Sequence, residues 1–398
     1  MQAHRPAAGR TVYPILFLVC ITHLLNDMMQ SVIPAVYPLL KEKFGFTFAQ
    51  IGVITLVFQL TSSLLQPVAG RLADRHPRPY SLAAGMCFTL AGLLALSVAP
   101  GFVAILAAVG LIGWSVFHPE SSRVAQLASG GRKGLAQSIF QVGGNAGSAM
   151  GPLLAALIVI PFGQVSIGWF ALAALLAIFI LVKIGHWYRR QLAAAARKSA
   201  VAAVTAAHGL SKRKIRTAFV ILGVLVFSKY FYIASMTNYF TFFLMDKFAV
   251  SVQGAQYCLF AFLAASAAGT FIGGPLGDRI GRKYVIWGSI LGAAPFTLML
   301  PYVGLVWTIA LAVVIGLVIS SAFSAILVYA TDLMPGKVGM IAGVFFGLMF
   351  GLGGLGSAFF GWLADRTSIE FIFQISTLLP LLGVITGFLP DVESRKVR

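Results

Sequence analysis

Twelve long apolar runs constrain this chain more than any other feature. A hydrocarbon core of about 30 Å needs roughly 20 helical residues per crossing, at about 1.5 Å each. The runs fall at 13–40, 48–72, 80–99, 102–128, 134–159, 165–187, 216–245, 253–276, 284–302, 304–332, 338–363 and 369–390. They are long and do not alternate, so helices are expected, and a helix satisfies its own backbone groups where no water reaches. Composition agrees. With 59% apolar and only 10% charged residues, a chain of this length cannot give a soluble globule its charged surface. The expectation is an all-α membrane protein with twelve transmembrane helices.

The chain also repeats itself. Gly70-Arg-Leu-Ala-Asp74-Arg75 recurs as Gly274-Pro-Leu-Gly-Asp278-Arg279, and the offset of 204 residues between the two Asp residues is close to half of 398. One offset of half the chain implies two similar six-helix halves related by a pseudo-two-fold axis, the organisation of parallel-repeat transporters. The halves are read as 1–187 and 216–398. The stretch 188–215 between them is Ala-rich and basic with no acid, which suits a cytoplasmic linker lying on anionic lipid.

Orientation follows from the 29 Lys and Arg residues, because basic loops are retained in the cytoplasm. Twenty-two fall on one side, and only Lys41, Lys43, Lys247 and Arg366 fall in the opposite loops. Both termini and the linker are therefore expected in the cytoplasm. The net charge of +18 is read as topology, since no nucleic-acid-reading motif accompanies it. The first span lacks a small-residue cleavage site and is expected to remain as an anchor. Cys20, Cys87 and Cys258 have no ligand spacing and read as apolar filler. With no metal cluster, no nucleophile beside a base and no soluble domain, neither cofactor nor metal is expected, and an enzyme or sensor is disfavoured.

Ionisable residues inside spans are costly, at least about 2.5–3.5 kcal/mol each at the bilayer centre, and so mark function. In the first span His23, Asn26, Asp27 and Gln30 form one stripe at i, i+3, i+4 and i+7. Asp27 is placed near mid-membrane and is the first choice for a group that binds a proton from one side and releases it to the other. The same stripe also fits a packing network in which His23 and Asn26 satisfy Asp27. In the fourth span, Phe117-His-Pro-Glu-Ser-Ser-Arg123 combines a helix-breaking Pro119 with three ionisable groups. Glu120 and Arg123 can share a face, either as a charge switch or as a neutralising pair, whereas His118 and Glu120 point apart.

In the seventh span Lys229 lies near mid-membrane with no acid beside it on that helix, and it is pseudo-equivalent to a position two residues from Asp27. A cavity between the halves would bring these opposite charges together. Lys229 suits an anionic substrate, with Tyr230 and Tyr232 as hydroxyl donors. A snorkelling lysine or a static partner of Asp27 is the alternative. The fifth span sets Gly143, Gly147 and Gly151 on one face beside Gln141 and Asn145, a small-residue ridge suited to close helix packing. Gln59 and Gln66 in the second span fit a pathway lining or cross-helix bonds equally well.

The two Gly-x-Leu-x-Asp-Arg loops, the Gly147-x-x-x-Gly151-Pro152 element and the twelve spans resemble the major facilitator superfamily. Within it, His23-Leu-Leu-Asn-Asp-Met-Met-Gln-Ser31, Phe117 to Arg123, Ser138 to Asn145, Phe227-Ser-Lys-Tyr-Phe-Tyr232 and Ile280 to Trp287 resemble the bacterial exporters of fosmidomycin. That resemblance implies a proton-driven antiporter of the bacterial inner membrane that exports fosmidomycin and related small anionic phosphonates. It also implies a cytoplasmic gate formed by Gly70, Asp74, Arg75, Gly274, Asp278, Arg279, Gly281 and Arg282, and an antiporter element at Gly147, Gly151 and Pro152. The first loop departs from the pattern at His76-Pro77 and Pro79. Arg123 also lies further toward the cytoplasm than the arginine many drug antiporters carry.

The combined reading is a monomeric alternating-access carrier. Substrate is held by His23, Asn26, Gln30, Arg123, Gln141, Asn145, Lys229, Tyr230 and Tyr232, and protons by Asp27, Glu120 and His118. Proton symport of a small metabolite anion is the alternative.

Overall fold

The computed structural model of the protein describes residues 11–75, 78–114, 117–130, 133–196, 211–334 and 338–390. Twelve helical rods account for nearly all of them. In the first half they are α1 (Tyr13–Ala35, continued as Tyr37–Phe44), α2 (Phe48–Arg75), α3 (Ser81–Ser97), α4 (Phe102–Gly113 and His118–Ala128), α5 (Lys133–Leu154, continued to Phe162) and α6 (Phe170–Ala196). In the second they are α7 (Lys212–Phe248), α8 (Val252–Ile280), α9 (Arg282–Ile290, continued to Tyr302), α10 (Leu305–Ser320 and Ala322–Leu333), α11 (Val338–Arg366) and α12 (Ile369–Ser376, then Leu379–Phe388). Among the described residues, nine helices are individually long and apolar enough to cross a membrane. The other three runs contain the apolar helices Phe48–Ser63, Ser81–Ser97 and Phe102–Gly113.

Local chemistry sets the ends of these rods. Ser211, Ser251 and Ser368 are N-caps whose hydroxyls accept from Lys214 N, Gly254 N and Phe371 N, satisfying donors the helix leaves orphaned. Gly45 ends the first rod with φ +66°, and Gly281 separates α8 from α9 with φ +98°, conformations that a side chain would strain. Several rods are interrupted, among them the fourth and the twelfth. The fourth is interrupted between Gly113 and His118, with Pro119 in the first turn of the new segment, where its missing N–H costs nothing. The twelfth tightens to a 3₁₀ helix over Leu379–Phe388, with Pro380 in its first turn.

The halves pack by a symmetric rule. α1 packs on α5 as α7 packs on α11, and the halves meet where α2 lies along α11 and α5 along α8. A shift of one half-length turns the α2–α11 pair into the α8–α5 pair, as a pseudo-two-fold requires. The bundle therefore has a basic end, carrying residues 78–81 and 280–283, and a weakly charged end, carrying residues 45–48 and 366–369. The linker read at 188–215 begins inside α6, which continues to Ala196, and residues 197–210 lie outside the described ones.

The glycine face of α5 explains its closeness to α1. A Cβ on Gly143, Gly147 or Gly151 would lie 2.2 Å from Cys20 O, 2.2 Å from Leu24 O or 2.0 Å from Ser31 Oγ. The two backbones touch along three successive turns, as small-xxx-small packing allows. Beyond Pro152 the helix passes through a π turn, Ala155–Val159, a deviation common where a proline removes a ladder bond.

Candidate functional site

Between the halves lies a cavity of about 310 Å³, at the lower end of the roughly 300–1,000 Å³ typical of small-molecule sites. His23, Asp27 and Gln30 of α1, His118 of α4, Gln141 and Asn145 of α5, and Lys229 and Tyr230 of α7 line it. The spacing of the α1 stripe thus turns one polar edge of that helix toward the cavity. Pro152 and Gln59 also reach it.

On the N-terminal side Asp27 lies between two imidazoles. His23 Nε2 is 3.3 Å from Asp27 Oδ2 and His118 Nε2 is 3.4 Å from Asp27 Oδ1. Asn26 Nδ2 donates to Asp27 Oδ1 at 2.9 Å, and Gln30 Nε2 reaches Asn26 Oδ1 at 3.5 Å. His23 Nδ1 lies 2.7 Å from the Phe140 carbonyl. That oxygen can only accept, so Nδ1 carries the proton. A neutral His23 then presents the Nε2 lone pair to a carboxylate, a repulsive contact that one additional proton, on either group, converts into a hydrogen bond. The His23 ring stacks on Phe140 with centroids 3.9 Å apart and cannot easily turn away. Three ligand-type atoms of His23, Asp27 and His118 lie within 4.8 Å of one another, and His23 Nε2 is buried without a hydrogen-bond partner among the described residues.

On the C-terminal side Lys229 is 2% exposed. Its Nζ lies 5.3 Å from the Tyr230 ring centroid and 5.7 Å from that of Phe323, within cation–π reach. Among the described residues no carboxylate stands within ion-pair distance of it. Aromatic rings connect the two sides. His118 packs on Phe350 and Phe346 of α11, with centroids 5.5 and 6.4 Å apart, and Phe346 meets Phe323 at 5.3 Å.

The remaining residues singled out in the sequence lie elsewhere. Asn26 is buried behind the lining, bonded to Asp27. Glu120, Arg123 and Tyr232 do not line the cavity; Glu120 is buried in α4 and Tyr232 lies in the apolar core. For Tyr232 the reason is rotation: two residues past Tyr230 on a helix, it turns about 200° away. His118 and Glu120 diverge for the same reason. Gln141 and Asn145 bond to each other at 3.2 Å. At the basic end Arg282 pairs with Asp332 of α10, and Lys283 Nζ donates to Gly387 O and Leu389 O. These contacts lie within the second half. Arg279 is exposed. The helix positions of Gly70, Asp74, Arg75, Gly274 and Asp278 are defined, but their side chains, like that of Gln66, fall outside the described residues.

Two features escaped the sequence reading. Phe346 and Phe350, four apart on α11, carried a signal in their spacing, masked by the 32 phenylalanines of the chain. Gly144 presses on the triad from α5: a Cβ there would lie 2.3 Å from His23 Cε1 and 2.8 Å from Asp27 Oδ2.

Twelve spanning rods in two pseudo-symmetric halves, enclosing a cavity with ionisable groups from both, define a membrane transporter. The chain belongs to the Major Facilitator Superfamily, which it matches over residues 19–245 and 230–398. It is 59% identical over 385 residues to the fosmidomycin resistance protein of Escherichia coli strain K12, an alignment covering 96% of this chain and 94% of that one. It is 44% identical, with the same coverage, to the uncharacterized MFS-type transporter YfnC of Bacillus subtilis strain 168. The fold also matches a bacterial homolog of the human lysosomal transporter Spinster, with a TM-score of 0.70 at 16% identity over 97% of this chain and 95% of that one.

Proposed function

We propose that the protein exports fosmidomycin and related small phosphonate anions from the bacterial cytoplasm in exchange for protons. The observation that carries this reading is the asymmetry of the cavity. Lys229 stands buried in the second half without a carboxylate neighbour among the described residues, while Asp27 of the first half is held by His23 and His118. A buried cation without a counter-ion favours an anion that brings its own charge and acceptor oxygens. The 59% identity to a fosmidomycin resistance protein supports the choice of phosphonates.

Protons are carried at Asp27. With His23 Nδ1 committed to Phe140 O, the contact between His23 and Asp27 is favourable with one extra proton and unfavourable without it. Loading and unloading that proton from opposite sides couples the cycle to the proton gradient. Arg123, Glu120 and Tyr232 act indirectly, since none lines the cavity. The halves 1–187 and 216–398 rock as two bodies about the cavity, joined by the linker 188–215. The carrier works as a monomer in the inner membrane with both termini cytoplasmic, and the loop residues Asp74 and Asp278 serve the cytoplasmic gate.

The test is fosmidomycin uptake into inverted vesicles with an acid interior, with proton efflux followed by a pH dye. Drug accumulation coupled to proton release supports export by antiport. Protons entering together with the anion would replace that reading with metabolite symport.

A further inference from the structure

The loop sequence has a third copy. Gly361-Trp-Leu-Ala-Asp365-Arg366 repeats the pattern of Gly70-Arg-Leu-Ala-Asp74-Arg75, yet it closes α11 at the weakly charged end, away from the other two. Its offset is not the half-chain repeat: the pseudo-equivalent end of α5 reads Ile158-Val-Ile-Pro161-Phe. The third copy therefore breaks the symmetry of the halves.

Its contacts are equally specific. Asp365 Oδ1 accepts from Phe48 N and Oδ2 from Ala49 N, each at 2.7 Å. These are the first two residues of α2, in the other half of the molecule. Beside them Thr47 N donates to Gln50 Oε1 at 2.9 Å and Gln50 N to Thr47 Oγ1 at 3.2 Å, a reciprocal capping box. All four donors from Thr47 to Gln50 are thereby satisfied, two within α2 and two by Asp365. One turn before Asp365, Gly361 allows the close approach, since a Cβ there would lie 2.2 Å from Phe48 O. The carboxylate also complements the positive end of the α2 dipole.

We infer that Gly361 and Asp365 form a latch that closes the cavity at the weakly charged end, by capping the first turn of α2 across the boundary between the halves. α2 and α11 lie side by side in opposite directions, so Asp74 ends α2 at the basic end as Asp365 ends α11 at the other. Asp365 is itself exposed, so separation of the halves exchanges its two hydrogen bonds for bonds to water, an exchange suited to a reversible contact. Neighbouring cross-half bonds, Gln256 Nε2 to Ala35 O at 2.7 Å and Gln253 Nε2 to Ala156 O at 3.0 Å, seal the same end. The α5–α8 side thus relies on neutral amides, and the only charged cap across the boundary among the described residues is on the α2–α11 side.

The experiment measures the separation of the halves and needs no substrate, so it stands apart from the phosphonate reading. Val103 and Val306, exposed at the start of α4 and α10, are replaced by spin-labelled cysteines in a full-length chain whose Cys20, Cys87 and Cys258 are serine. Distance distributions are recorded by double electron–electron resonance. Asp365→Ala is expected to raise the ratio of long to short distances about ten-fold, the scale of losing a helix cap. Asp365→Asn, which keeps one acceptor and the side-chain shape, gives a smaller shift of the same sign and decides the matter if the alanine variant fails to fold. Arg366→Ala leaves the distribution in place. Unchanged distances in a folded Asp365 variant, or an equal shift in Arg366→Ala, would overturn the latch.

Discussion

Asp27 on α1 and His118 at the head of the second α4 segment meet at 3.4 Å, Oδ1 to Nε2, although they belong to helices separated by two others in sequence. The second α4 segment begins at His118, and this first residue lines the cavity beside Asp27. Through Phe350 and Phe346 the same imidazole touches the second half. His118 thus contacts Asp27 on one side and the second half on the other.

Asp27→Asn retains the hydrogen bond from Asn26 and removes the charge that His23 and His118 face. Proton movement driven by drug in inverted vesicles is expected to fall to background. Drug binding, measured by calorimetry on purified protein, changes by less than about ten-fold, because Lys229 remains. Loss of binding with coupling intact would reverse the assignment.

Gly144→Ala tests the triad without touching its chemistry. The new methyl would lie 2.3 Å from His23 Cε1 and 2.8 Å from Asp27 Oδ2, so the His23 ring must shift against Phe140, on which it stacks. Coupling is expected to drop while the protein still folds, since the colliding atoms are side chains. Gly147→Ala meets backbone instead, 2.2 Å from Leu24 O. It must push α1 from α5, at a cost of about 1–3 kcal/mol or more, seen as a lower melting temperature.

Much of this site was legible in the sequence because the bilayer makes ionisable residues conspicuous. Asp27, His118 and Lys229 stood out against apolar runs, and the stripe from His23 to Gln30 defined which face of α1 turns inward. What stayed hidden depends on distance along the chain or on weak signals. The bond from His23 to Phe140 O joins a side chain to a carbonyl 117 residues away, and no local pattern announces such a pairing. Residue type alone suggests Arg123 and Tyr232 for the substrate, whereas helix rotation and depth decide who faces a cavity. The third loop copy was readable as letters, yet without the neighbouring first turn of α2 nothing assigned it a partner.

Lys229 yields the sharpest pairing of outcomes, because its cost and its use are separable. A buried ammonium without a counter-ion among the described residues opposes folding, and Lys229→Met, similar in length and apolar, removes that cost. The variant is therefore expected to melt at a higher temperature than the parent in detergent, as for active-site groups whose function conflicts with stability. In exchange, fosmidomycin loses a charge-assisted bond of about 1.5–3 kcal/mol, roughly 10- to 100-fold in affinity. Lys229→Arg keeps the charge but needs more space between Tyr230 and Phe323, so binding weakens less and stability does not rise. Thermal unfolding and calorimetric titration of the three proteins check both halves of the expectation. A methionine variant that is less stable and still binds drug would show Lys229 to be a structural cation rather than the anion site.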